Sequence, residues 1–111
     1  MAAFLTGFSL IGCDSGSGSK SGYGTIVIKN VSANTKITWV EIEDIDTGRN
    51  IVDERVDIPA RDGSKSFSDI SPGKYLVRIA DDLGNNAQSN QITIDAGQTV
   101  TLSYNGAQLF R

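Results

Sequence analysis

Lys36–Ile58, read KITWVEIEDIDTGRNIVDERVDI, decides the fold of this chain. Apolar side chains recur at every second position on both sides of Asp46-Thr47-Gly48, the period of a half-buried strand. Asp-Thr-Gly is a three-residue hairpin loop, a type I turn closed by a glycine in the left-handed conformation that other residues adopt only at a cost. Such a loop pairs Ile45 with Arg49, and therefore Ile42 with Val52 and Thr38 with Val56. Val40, Ile42, Val52, Val56 and Ile58 then share the core face, while Trp39, Glu41, Glu43, Asp53, Arg55 and Asp57 face outward. Glu54 falls on the core side opposite Val40, which predicts a bulge or an edge position there. Trp39 lies across from Arg55, within reach of a cation–π contact. Its plainer role is a cover over the sheet, and its sharper one is a binding aromatic for sugar.

The same alternation continues in both directions. It predicts strands over Thr25–Val31, Lys36–Ile45, Arg49–Ile58, Ser64–Ile70, Lys74–Asp81, Gln88–Asp95 and Gln98–Tyr104. No stretch carries a helical period. Seven short strands separated by Gly, Pro, Asn and Asp turns predict an all-β chain, a seven-stranded antiparallel β-sandwich. Ile26, Ile28, Phe67, Tyr75, Val77, Ile79, Ile92, Ile94, Val100 and Leu102 are its further inward positions, and Pro72-Gly73 reads as a type II turn. The tail Gly106–Arg111 ends in apolar residues that either pack back onto the sandwich or meet a partner.

Composition removes whole classes of function. The 111 residues include one Cys and no His, which excludes an internal disulfide, Ser-His-Asp and Cys-His catalysis and His-ligated metals. Ten Lys and Arg against thirteen Asp and Glu, with the basic residues scattered, argue against a nucleic-acid partner. The acidic run Glu41–Asp46 is split between two faces by alternation, and no nucleophile–base pair or cofactor motif accompanies it. The sequence therefore predicts a protein that is not an enzyme and needs no cofactor.

If each connection reverses the chain, the loops sort into two ends. The longer ones, Pro59–Gly63 and Asp82–Ala87, join the loop after the first strand at the end far from the N-terminal segment. That end presents Asn34, Asp62, Asp81, Asp82, Asn85 and Asn86, and the last five of these, with Trp39, are the candidate binding residues. Asp81, Asp82, Asn85 and Asn86 offer oxygen atoms of the kind calcium takes six to eight of. DDLGNN also has the composition of a solvated hairpin turn, no calcium-loop pattern is present, and no metal is predicted. Sheet edges offer a further route to partners by strand addition.

The first residues follow another logic. Ala2–Gly12 is apolar but shorter than the roughly 20 residues of a membrane-spanning helix, and fits the core of a secretion signal. Leu10-Ile11-Gly12-Cys13 resembles the bacterial lipobox. The resemblance implies export, lipid transfer to the Cys13 sulfur and cleavage before Cys13, and hence a protein held on the membrane of the cell envelope by a lipid anchor. No Lys or Arg precedes the apolar run, which predicts a translation start further upstream. Asp14–Tyr23 is a Ser/Gly tether with an r.m.s. span of roughly 17 Å. The organisation expected is a signal segment over 1–12, a lipidated Cys and tether over 13–23, and a sandwich over 24–111.

Asp44–Gly48, Ile70–Val77 (ISPGKYLV) and Ile92–Leu102 (ITIDAGQTVTL) resemble the transthyretin-like, or prealbumin-like, bacterial domains, including the carboxypeptidase-regulatory type with its recurring PG-x-Y. An immunoglobulin-like sandwich is the nearest alternative. The resemblance rests on turns and core positions and so implies a fold and not an activity. The function expected is a membrane-tethered structural or protein-interaction module with an envelope partner. A carbohydrate- or calcium-dependent adhesion module is the alternative.

Overall fold

The computed structural model describes residues 22–111. The signal segment, Cys13 and nearly all of the tether lie outside the described residues. From Gly24 onward the chain forms nine strands, namely β1 (Gly24–Asn30), β2 (Ile37–Asp44), β3 (Arg49–Ile58), β4 (Gly63–Ile70), β5 (Gly73–Asp81), β6 (Asn86–Gln88), β7 (Ile92–Ile94), β8 (Thr99–Tyr104) and β9 (Leu109–Phe110). They form two packed sheets. One has the order β4-β1-β8-β9; the other has the order β3-β2-β5-β6, with β7 also paired to β5. No helix among the described residues is long and apolar enough to cross a membrane.

The core is where the two alternations meet. Ile26, Ile28, Val100 and Leu102 of one sheet face Val40, Ile42, Val77 and Ile79 of the other, all essentially without solvent contact. Each such side chain contributes about 1.5–3 kcal/mol of transfer free energy. β-Branched residues dominate because they suit a pleated, half-buried surface.

Three features correct the expected seven antiparallel strands. The predicted strand Gln88–Asp95 is interrupted: Ile92–Ile94 forms β7, while Gln88 ends β6, which begins at Asn86 within the predicted loop, and the break falls where Ser89 turns its hydroxyl inward. Ser89 N donates to the Val77 carbonyl at 2.8 Å, and its Oγ accepts from Val77 N at 3.1 Å. The side chain thus takes the place of a backbone carbonyl in the ladder. A ninth strand comes from the tail: Asn105 Oδ1 accepts from Ala107 N and Gln108 N, and the turn folds Leu109 back into the core beside Tyr104. The sheets are also not wholly antiparallel, because β1 and β8 run parallel from the Thr25–Thr99 pair to the Asn30–Tyr104 pair.

The opening hairpin holds its register through its middle, with Ile42 opposite Val52 and Trp39 opposite Arg55. Its loop is four residues, Ile45–Gly48, instead of three. Asp44 pairs with Arg49, and a bulge between Ile42 and Glu43 absorbs the difference. Gly48 has φ 73° as the loop requires. A second irregularity at Thr38 reverses the alternation, so that Ile37 pairs with Ile58 and is fully buried. Glu54, opposite Val40, is exposed because β3 is the edge strand of its sheet. Gly73 does not adopt the positive φ of a type II turn; it opens β5 opposite Ile94, and the left-handed residue nearby is Asp69, φ 60°. The Pro-Gly-Lys-Tyr phrase acts differently: Tyr75 is buried and its hydroxyl donates to the Ser71 carbonyl at 2.5 Å, closing the turn from inside.

Candidate functional site

The N-terminal segment reaches the domain at one end. Gly97 N donates to the Tyr23 carbonyl at 3.0 Å, and Gly24 lies so close to the next loop that a Cβ there would be 2.8 Å from the Gln98 carbonyl. The opposite, distal end gathers the loops that follow β1, β3 and β5, as alternating chain reversal predicts.

These distal loops are sewn together by buried polar groups. Asn30 Nδ2 donates to the carbonyls of Thr35 (2.8 Å) and Ile58 (3.0 Å), and its Oδ1 accepts from Ser32 N at 3.1 Å. The Ser32 hydroxyl lies 2.5 Å from Asn30 Oδ1 and 2.8 Å from the Thr35 carbonyl, so its single proton serves one acceptor at a time. Thr35 and Lys36 N both donate to Asp82 Oδ1, while Asp82 N donates to the Lys36 carbonyl. Asp81 lies deepest. Its Oδ1 accepts from Leu83 N and Asn85 N, and its Oδ2 accepts from Asn85 Nδ2 and, at 2.6 Å, from the Tyr104 hydroxyl of the other sheet.

Charge follows these contacts. Burial pushes the Asp81 carboxyl up, but the hydrogen bonds from Tyr104, Asn85 and Leu83 prevail and hold it below its ordinary value. The Thr35 hydroxyl and Lys36 N–H likewise hold Asp82 low. Burial, then the hydrogen bond and charge of Asp81, push the Tyr104 phenol up to about 12. Four protein donors thus occupy the Asp81 oxygens that a calcium ion would need, and among the described residues no group of three or more Asp, Glu, His or Cys converges as metal ligands would. Asp62, φ 76°, joins the cluster through its backbone, its N donating to the Asn30 carbonyl at 2.8 Å, while its carboxylate faces Lys29 Nζ at 3.8 Å, an exposed ion pair that contributes about 0–1 kcal/mol.

Trp39 belongs to a second feature, a groove of about 380 Å³ on the outer face of the five-stranded sheet. Register builds it from two rows of three, Trp39–Ala80–Asn86 and Glu41–Arg78–Gln88, each running across β2, β5 and β6. Ala80 has no bulk, so the middle of the first row is hollow. The indole N–H donates to Asp53 Oδ1 at 2.7 Å, and the residue remains 37% exposed. Among the described residues the one cation over an aromatic ring is Lys65 over Phe67; the polar partner of Trp39 is Asp53 and not the expected Arg55. Arg78 is held by Glu43 (2.8 Å), Glu41 (3.3 Å) and Gln88 Oε1 (2.9 Å).

The six predicted binding residues therefore divide three ways. Trp39 and Asn86 line the groove, Asp81, Asp82 and Asn85 belong to the loop network, and Asp62 stands with Lys29. Sequence reasoning missed Arg78, Ala80 and Gln88. They meet Trp39 only through the pairing of β2 with β5 and, for Gln88, of β5 with β6, which no local pattern encodes.

No family model matches the chain, and no curated protein matches it. Among solved structures it is similar to a protein from Eubacterium rectale determined by NMR, with 16% identity over 86% of this chain and 91% of that one, at a TM-score of 0.55. That likeness is one of fold: all-β, with two sheets.

Proposed function

We propose that the chain is a non-enzymatic lipoprotein of the bacterial cell envelope, anchored outside the cytoplasm by lipid on Cys13, with its sandwich serving as a binding module. One observation carries this reading. The chain joins the domain at the Tyr23–Gly97 end, whereas the loop cluster and the Trp39–Ala80–Asn86 row lie at or near the other. A tether attached there leaves the feature-rich end pointing away from the membrane. The acids at that end speak against catalysis, because both Asp81 oxygens and Asp82 Oδ1 are spent on loop geometry.

Of the two sandwich types, the transthyretin-like one is favoured by strand order. An immunoglobulin sandwich puts its first, second, fourth and fifth strands in one sheet. Here β1 and β4 lie in one sheet and β2 and β5 in the other. Recognition through a face is favoured over strand addition, since the edge strand β3 carries Arg49, Asp53, Glu54, Arg55 and Asp57, and charge discourages pairing.

Capture tests the reading. The full chain, held by its anchor in lipid nanodiscs, is exposed to envelope extract and compared with Ala80→Leu in the groove and Thr47→Glu at the proximal end. A partner retained by the parent and by Thr47→Glu but lost with Ala80→Leu is expected. Retention that depends on Thr47, or that no distal change affects, contradicts it.

A further inference from the structure

The Trp39 groove carries chemistry that the packing of the domain does not use. The indole donor is already satisfied by Asp53, on the β3 side, so the exposed apolar surface of Trp39 is the part left to offer. Across the hollow at Ala80, the Asn86 carboxamide and Gln88 Nε2 make no hydrogen bond among the described residues. An apolar plate on one side and unspent carboxamides on the other, two strand spacings or roughly 9.5 Å apart, is an amphipathic slot.

We propose that this groove binds an uncharged saccharide, with one sugar ring stacked on Trp39 and its hydroxyls bonded by Asn86 and Gln88. A sugar ring presents a face of C–H bonds and a rim of hydroxyls that both donate and accept. Carboxamides, which also do both, complement that rim, and an aromatic plane complements the face. Charge selects against an acidic sugar, because Arg78 is already committed to Glu41 and Glu43, which leaves the slot with more carboxylate than free cation. A peptide strand is selected against because β5, in the middle of the groove, is hydrogen-bonded on both sides, to β2 and to β6, and the edge strand β6 is only three residues long. The inference deepens the binding-module reading and rests on it.

Trp39 is the sole tryptophan of the chain, so its emission reports on the groove alone. The full chain in detergent is titrated with neutral oligosaccharides of glucose, mannose, galactose and xylose, with polygalacturonate as the acidic control. A saturable change in emission with at least one neutral oligosaccharide, and none with polygalacturonate, is the result expected. By calorimetry, Trp39→Ala and Ala80→Leu weaken that binding roughly tenfold or more, while Lys65→Ala on the other sheet leaves it unchanged. Circular dichroism shows whether each variant keeps its strands. The inference is overturned if no neutral oligosaccharide gives a saturable response, if polygalacturonate binds better, or if folded Trp39→Ala and Ala80→Leu bind as the parent does. Protein capture that depends on Ala80 without any saccharide response overturns this inference and leaves the module standing. Loss of both overturns both.

Discussion

Replacing Tyr104 by phenylalanine keeps the ring that packs between the sheets and removes the oxygen that ties β8 to the end of β5. That hydroxyl donates to Asp81 Oδ2 at 2.6 Å, with Tyr104 fully buried and Asp81 nearly so. A hydrogen bond to a charged acceptor contributes about 1.5–3 kcal/mol. Asp81 keeps its bonds from Leu83 N, Asn85 N and Asn85 Nδ2, so the charge is not stranded. The loss therefore stays in that range, below the roughly 3–5 kcal/mol of a buried charge whose partner is removed. In a domain of this size it lowers Tm by roughly 10 °C.

The pH dependence follows from the two shifts. The Asp81 carboxyl is held low in the folded chain, so the unfolded chain binds the proton more tightly. Its stabilising contribution is complete above the ordinary value of about 3.9 and is lost as pH falls through the lowered one. Tyr104 runs the other way: with its phenol pushed up to about 12, its contribution is complete below about 10 and is lost as pH rises toward the folded value. Urea unfolding of the parent, Tyr104→Phe, Asp81→Asn and the double variant closes a cycle with a coupling of about 1–3 kcal/mol at neutral pH. Tyr104→Phe also flattens the alkaline limb. A Tyr104→Phe chain within about 0.5 kcal/mol of the parent, or a coupling near zero, refutes the reasoning.

Two further perturbations test the fold. Gly48 has φ 73° with open space around the missing Cβ, so Gly48→Val is opposed by backbone conformation alone and costs about 1–2 kcal/mol in urea unfolding, while Gly48→Asn costs less. Equal stability of the two variants would contradict that. Leu109 is 5% exposed on the last strand, so Leu109→Ala costs about 2–3 kcal/mol, and amide exchange of the Ser103 and Tyr104 region speeds up with it. A neutral result would mean that the tail does not pack as described.

Local periodicity made most of this fold legible. All ten inward positions read outside the hairpin are buried, from Ile26 to Leu102, because a two-residue period needs only the chain itself. What escaped is non-local or irregular. Ile37 reads as an outward odd residue until the irregularity at Thr38 turns it in, and Ser89 splits a strand by reaching Val77, twelve residues away. The parallel neighbours β1 and β8 are separated by most of the domain. At the site, Trp39 and Asn86 were found by residue type, but their proximity depends on β2, β5 and β6 lying side by side. Asp81 looks like any turn carboxylate in sequence. Only the distant Tyr104 shows it to be a tie between sheets.

The account rests most directly on lipid at Cys13. Cells expressing the chain are fed labelled palmitate, fractionated and compared with Cys13→Ala. Label on the parent in the membrane fraction and none on Cys13→Ala is the predicted result. An unlabelled parent recovered among cytosolic proteins would contradict the account.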